Sequence, residues 1–191
     1  MKALILIDYT NDFVADDGKL TTGAAGQAID AAVAQAVSDA CTRGDMIFSV
    51  NDLHHAGEAG HPETKLFPPH NIEGTSGREL YGMTGEAFAM ARQVRPEKAV
   101  WLDKLRYSAF AGTPLDILLR QNGIHEIELA GVCTDICVLH TAVDAYDLNY
   151  DVTVRPELTA SFSPEGHRFA LAHFRNSLGF NVPEPEEADG D

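Results

Sequence analysis

No segment of the 191-residue chain is apolar over the ~20 residues that a membrane span needs, so a transmembrane helix is not expected. Met1-Lys2 leads straight into the run ALILI with no small-residue cleavage site behind it, which gives no sign of a secretory signal peptide. Cysteine is scarce: Cys41, Cys133 and Cys137 make an odd set that cannot form a disulfide framework and point to a reducing, cytoplasmic setting. Cys133 and Cys137 stand four apart, so the C-x-x-C spacing of a redox or zinc motif is absent. Neither G-x-G-x-x-G nor G-x-x-x-x-G-K-[ST] occurs, which argues against nucleotide binding, and no G-x-S-x-G supports a serine hydrolase. Basic residues are few, 14 against 29 acids, for a formal net charge of −15. That balance disfavours nucleic acid and anionic membranes as partners.

What is present alternates. Apolar runs at Ala3–Ile7, Met46–Val50, Ala99–Asp103, Ile127–Ala130 and Val152–Val154 read as buried strands. Between them lie helical patterns at 24–42 (Ile29, Val33, Ala36, Val37 and Ala40 on one stripe), 84–94, from Thr113-Pro114 to Gly123, and from Thr134-Asp135 to about Leu148; Ser163-Pro164 opens a last helix. Residues 9–23 read as a loop, and so does most of 53–85, where Leu66, Phe67, Pro68 and Pro69 suggest a packed, ordered segment. The pattern predicts an α/β fold, a doubly wound, mostly parallel sheet with helices on both faces. The length suits one domain over 1–183. Five of the last eight residues are acidic, so 184–191 reads as a solvated, disordered tail.

In such sheets ligands bind outside the carboxyl ends of the strands. Asp8, Asp52, Lys104 and Cys137 each follow a different strand. Cys137 falls in the predicted first turn of a helix, where the macrodipole favours thiolate and unpaired N–H groups can hold an oxyanion. With Asp8 as general base and Lys104 holding it ionised, the set reads as an activated nucleophile. Thr134 and Asp135 read as helix caps, Trp101 as core, and Cys41 as lying on a buried helix face. A second constellation lies in the long loop: Asp52-Leu53-His54, His61-Pro62-Glu63 and Pro68-Pro69-His70. Half of the eight histidines fall within seventeen residues there, and His with carboxylate suits zinc, iron or manganese with open coordination.

Five motifs then stand in order: Asp8-Tyr9-Thr10-Asn11-Asp12-Phe13, Asp52-Leu53-His54, Pro68-Pro69-His70, Asp103-Lys104 with Tyr107-Ser108-Ala109-Phe110, and Gly131-Val132-Cys133-Thr134-Asp135-Ile136-Cys137. Together they resemble the isochorismatase-like cysteine hydrolases, and within them the nicotinamidase/pyrazinamidase branch. The resemblance implies an isochorismatase-like three-layer α/β/α fold and an Asp8, Lys104, Cys137 triad. It implies a cis peptide between Val132 and Cys133, an oxyanion site of the Cys133 and Cys137 N–H groups, and one divalent metal per chain, zinc before iron or manganese, bound by Asp52, His54 and His70. Many relatives use a histidine as fourth ligand, here His61, and some bacterial members a glutamate, here Glu63; Glu63, nearer the Phe67–His70 segment, is preferred. A ring pocket carries over to Phe13, Leu20, Phe67, Tyr107 and Ile136. Cys133 stands where alanine or another apolar residue is usual. The implied reaction is hydrolysis of nicotinamide, a small-molecule substrate, to nicotinate and ammonia in NAD salvage, with pyrazinamide as a surrogate, by a homo-oligomer. The alternatives are an amidohydrolase of this fold for another small amide, and a non-catalytic metal-binding or interaction protein.

Overall fold

The computed structural model describes residues 1–184, so all of the acidic tail except Glu184 lies outside the described residues. Its centre is β1 (Ala3–Ile7), every residue of which is buried. An all-apolar strand covered on both faces is what a central parallel strand requires. Around it run β2 (Met46–Asp52), β3 (Ala99–Lys104), β4 (Glu126–Val132) and β5 (Asp151–Ala160), in the order β3-β2-β1-β4-β5, all parallel. The order reverses between β1 and β4, which makes their carboxyl ends the switch point where open α/β sheets bind ligands.

Alternate strand residues feed two cores. Ile5, Ile7, Phe48, Val50 and Leu129 pack against α5 (Leu115–Gln121), α6 (Leu139–Asp147) and α7 (Pro164–Asn176) through Leu115, Leu119, Ala142 and Phe174. Leu4, Leu6, Ile47, Ala130 and Val132 pack against α3 (Asp30–Arg43) and α4 (Gly82–Val94) through Val33, Val37, Phe88 and Ala91. The remaining helices are short: α1 (Asn11–Val14), inside the segment expected to be loop, and α2 (Ala24–Ala28), separated from α3 at Ile29. Among the described residues no helix is long and apolar enough to cross a membrane.

Several local expectations change. β5 continues six residues beyond Val154, past Pro156, with a register shift opposite β4. Proline and a bulge are both tolerated because β5 is an edge strand. Trp101 is half-buried on the other edge strand, with the Arg78 guanidinium 5.4 Å from its ring, rather than core. Cys41 is likewise half-buried. The segment 53–81 is ordered, yet Leu66, Pro68 and Pro69 are exposed. Buried polar residues hold it instead. Asn71 donates its N–H to Asp12 Oδ2 (2.7 Å) and accepts from Thr10 Oγ1 (2.9 Å), while the His54 N–H donates to the Asn71 carbonyl (3.1 Å). Thr10 and Asp12 of the first motif thus tie the long loop to the sheet.

Candidate active site

The four strand ends converge as parallel pairing demands: Asp52 is the register partner of Lys104, and Ile7 that of Gly131. Lys104 is fully buried. Its Nζ lies 2.7 Å from Asp8 Oδ2, 2.5 Å from Asp52 Oδ1 and 3.6 Å from Cys137 Sγ. Asp8 Oδ1 accepts the Asp52 N–H at 2.7 Å. Asp8 is held at φ 52°, the left-handed region, which aims its carboxylate back across the end of β2. Burial and the Asp52 charge push the Asp8 carboxyl up to about 7, against the pull of Lys104. Burial works against the Lys104 ammonium, but the Asp52 and Asp8 carboxylates hold it well above its ordinary value.

Cys137 sits on a turn, Thr134–Val138, that is wider than the expected α-helical start: the Val138 N–H reaches the Cys133 carbonyl five residues back, at 3.1 Å. Thr134 and Asp135 do not cap it. Thr134 Oγ1 pairs with His167 Nδ1 at 2.8 Å, and Asp135 accepts from Ser161 Oγ. Burial pushes the Cys137 thiol well above its ordinary value, Lys104 opposes this, and the Asp8 and Asp52 charges add to it. The Val132–Cys133 peptide is cis. The Cys133 N–H has no acceptor among the described residues.

Asp52, His54, Glu63 and His70 present ligand atoms all within 4.8 Å of one another, and all four are buried. His70 Nε2 lies 3.5 Å from Glu63 Oε2 and 3.9 Å from Asp52 Oδ2. With metal–ligand bonds near 2.0–2.2 Å, neighbouring tetrahedral ligands stand roughly 3.3–3.6 Å apart, so the spacing fits a central cation. The donor set fits too. Asp52 Oδ2, His54 Nε2 and His70 Nε2 are buried without hydrogen-bond partners, which is costly unless something else takes their lone pairs. His70 Nδ1–H donates to the Pro68 carbonyl at 2.8 Å, leaving Nε2 as the lone-pair nitrogen. His54 Nδ1 faces Glu58 Oε2 at 3.5 Å, with the same result. His61 is not placed in this way: its Nε2–H donates to the Leu105 carbonyl (2.7 Å) and its Nδ1 accepts the Glu63 N–H (3.3 Å). Of the two alternatives, the Glu63 carboxylate faces the cluster. Asp52 belongs to both groups, one oxygen on Lys104 and the other turned to the histidines, so the two constellations form one site.

A cavity opens on this site. Phe13, Leu20, Phe67, Tyr107 and Ile136 line it, with Asp52, Glu63, Cys133 and Cys137. One lining residue, Phe162, escapes the sequence reading, because the fifth strand was expected to end at Val154 rather than at Ala160 beside the site.

The sequence pattern of the isochorismatase domain matches residues 2–182. The chain belongs to the isochorismatase family. Solved structures similar to this family member include the following three. The pyrazinamidase/nicotinamidase of Streptococcus mutans UA159 shares 54% identity over 96% of this chain and 100% of its own, with a TM-score of 0.92. The nicotinamidase/pyrazinamidase PncA of Bacillus subtilis shares 48% over 96% and 100%, at 0.91. The pyrazinamidase of Pyrococcus horikoshii, in complex with zinc, shares 27% over 96% and 98%, at 0.82.

Proposed function

We propose that the protein is a cysteine amidohydrolase that converts nicotinamide to nicotinate and ammonia, and accepts pyrazinamide. One observation carries the reading: a buried thiol–carboxylate–ammonium cluster shares Asp52 with a four-residue group able to hold a metal, and both face an aromatic-lined cavity. The similarity to nicotinamidases and pyrazinamidases over nearly the full chain supports the substrate. A divalent cation held by Asp52, His54, Glu63 and His70, zinc in our reading with iron or manganese as alternatives, would supply a Lewis acid for the pyridine nitrogen.

The chain's own residues do the rest. Asp8, with its carboxyl near 7, is matched to a proton that must move both ways at neutral pH. It takes the Cys137 proton as sulfur attacks the amide carbon. The Cys133 and Cys137 N–H groups hold the oxyanion, each such donor typically contributing ~2.7–4 kcal/mol. Asp8 returns the proton to nitrogen, the C–N bond breaks and ammonia leaves a Cys137 thioester. Asp8 then takes a proton from water as the hydroxyl adds to the thioester, returns it to sulfur as the C–S bond breaks, and the acid released gives its proton to ammonia or solvent to leave as nicotinate. Lys104 holds Asp8 in place and favours its carboxylate form between these proton transfers. We place the enzyme in the cytoplasm, as a homo-oligomer.

The test is ammonia release from nicotinamide by purified protein, before chelation, after it, and after metal add-back. Release that falls on chelation and returns with metal is expected, as is its abolition in Cys137→Ala with ring binding retained. No release by metal-loaded protein would move the substrate to another amide. Full activity in Cys137→Ala would overturn the mechanism.

A further inference from the structure

Phe162 is an anomaly of packing. It is 41% exposed and belongs to neither hydrophobic core, yet it lines the cavity that holds Cys137. Large aromatic side chains usually bury their area, so one left uncovered beside a cavity is placed to cover a ligand there. Here the backbone is fixed on both sides. Ser161, which follows β5, donates its hydroxyl to Asp135, on the turn that carries the nucleophile, and accepts the Ser163 N–H at 3.4 Å. Ser163 accepts the Gly166 N–H at 3.0 Å, which caps α7. A Cβ built on Gly166 would come within 1.9 Å of Asp135 Oδ2, so the first turn of α7 lies directly against the same carboxylate. The serines, Asp135 and Gly166 together fix the backbone that presents this ring to the cavity.

We propose that Phe162 is a specificity-determining residue, the outer wall of the substrate pocket, which covers the outer edge of a planar aromatic amide and excludes rings with added substituents. The inference deepens the amidohydrolase reading and rests on it for the identity of the substrate. Phe13 and Ile136 would contact the ring from helical turns and Phe67 and Tyr107 from longer loops, whereas Phe162 would do so from a three-residue link between β5 and α7 and is the most exposed of these aromatic residues. Its substitution should therefore change selection without disturbing the cluster beneath it.

The experiment compares wild type, Phe162→Ala and Phe162→Leu in two assays. In the first, kcat and KM are measured for nicotinamide and for a ring-methylated nicotinamide. Phe162→Ala should raise KM for nicotinamide by about tenfold with a smaller change in kcat, and lower the preference for nicotinamide over the methylated ring by about tenfold, with Phe162→Leu between. In the second, Cys137 alkylation by iodoacetamide and by an N-benzyl haloacetamide is followed by peptide mapping. Phe162→Ala should speed the bulky reagent at least severalfold relative to the small one. The second assay needs no turnover: it stands even if nicotinamide proves not to be the substrate, which the wild-type control in the first assay reveals. An unchanged preference in an active variant, or an unchanged ratio of alkylation rates, would overturn the role of Phe162.

Discussion

Replacing Lys104 by methionine removes the single cation from a buried group of two carboxylates while nearly conserving side-chain volume. In the wild type one ammonium faces Asp8 at 2.7 Å and Asp52 at 2.5 Å, with all three side chains at or below 1% exposure. Removing one partner of a buried ion pair typically costs about 3–5 kcal/mol, because the charge left behind has no compensation. Asp8 has an escape, since it can bind a proton. Its carboxyl, raised to about 7 by burial and by Asp52 even with Lys104 beside it, must rise further when the ammonium is lost. A carboxyl whose folded pKa exceeds its unfolded value stabilises the fold below the unfolded pKa, and that contribution is lost as pH rises through the folded pKa. Below pH 7 Asp8 is protonated in both proteins, so the deficit of Lys104→Met is that of the lost Asp52 partner alone. Above 7 the wild type has completed its loss while the variant continues, and the deficit grows by about 1.4 kcal/mol per pH unit until Asp8 of the variant ionises. Urea denaturation of both proteins, with chelator present, at pH 6, 7, 8 and 9 reads this directly. A deficit independent of pH over that range would refute the claim that Lys104 and Asp8 are coupled as the geometry implies.

The pH dependence of turnover follows from the same carboxylate: kcat/KM for nicotinamide should fall as pH is lowered through the Asp8 ionisation, at or below about 7 once a bound cation offsets the Asp52 charge. A rate that rises from pH 7 to pH 5 would contradict Asp8 as base. Glu63→Gln should weaken metal binding by about 100-fold or more, whereas His61→Asn, which removes only a hydrogen-bonded support, should cost about tenfold and keep one metal per chain. Metal content after graded chelation decides, and the reverse ranking would make His61 the ligand. Gly131→Ala should cost about 3 kcal/mol or more in chemical denaturation, because its φ is 111° and a Cβ would sit 2.0 Å from the Ile7 carbonyl oxygen. A loss under about 1 kcal/mol would show that β4 can shift away from β1 at this point.

How much of the site could be read from the chain depends on which regularity carried each residue. Asp8, Asp52 and Lys104 were legible because each closes an apolar run, and Cys137 because it stands on the turn that follows one; parallel strands in register bring these ends to one edge. Phe162 obeys the same rule, but Pro156 made the fifth run look finished at Val154; only an edge strand with a register shift could carry it to Ala160. His61 and Glu63 stand two residues apart in a segment without periodicity, so nothing local says which one faces inward. The distinction is made by the Leu105 carbonyl, forty-four residues away, which engages His61. The setting of Cys137 divides in a similar way. A helix N-terminus is a local feature, whereas the burial and the two carboxylates that push the thiol up are set by other strands. Asp52 carries this furthest. Sequence assigns it to the loop cluster by its D-x-H spacing and to the strand-end cluster by its position, and it cannot show that its two oxygens face different partners. Because they do, the charge that raises the Asp8 carboxyl is the same charge a cation would offset. Metal binding and the strength of the catalytic base are therefore one linked property of this site.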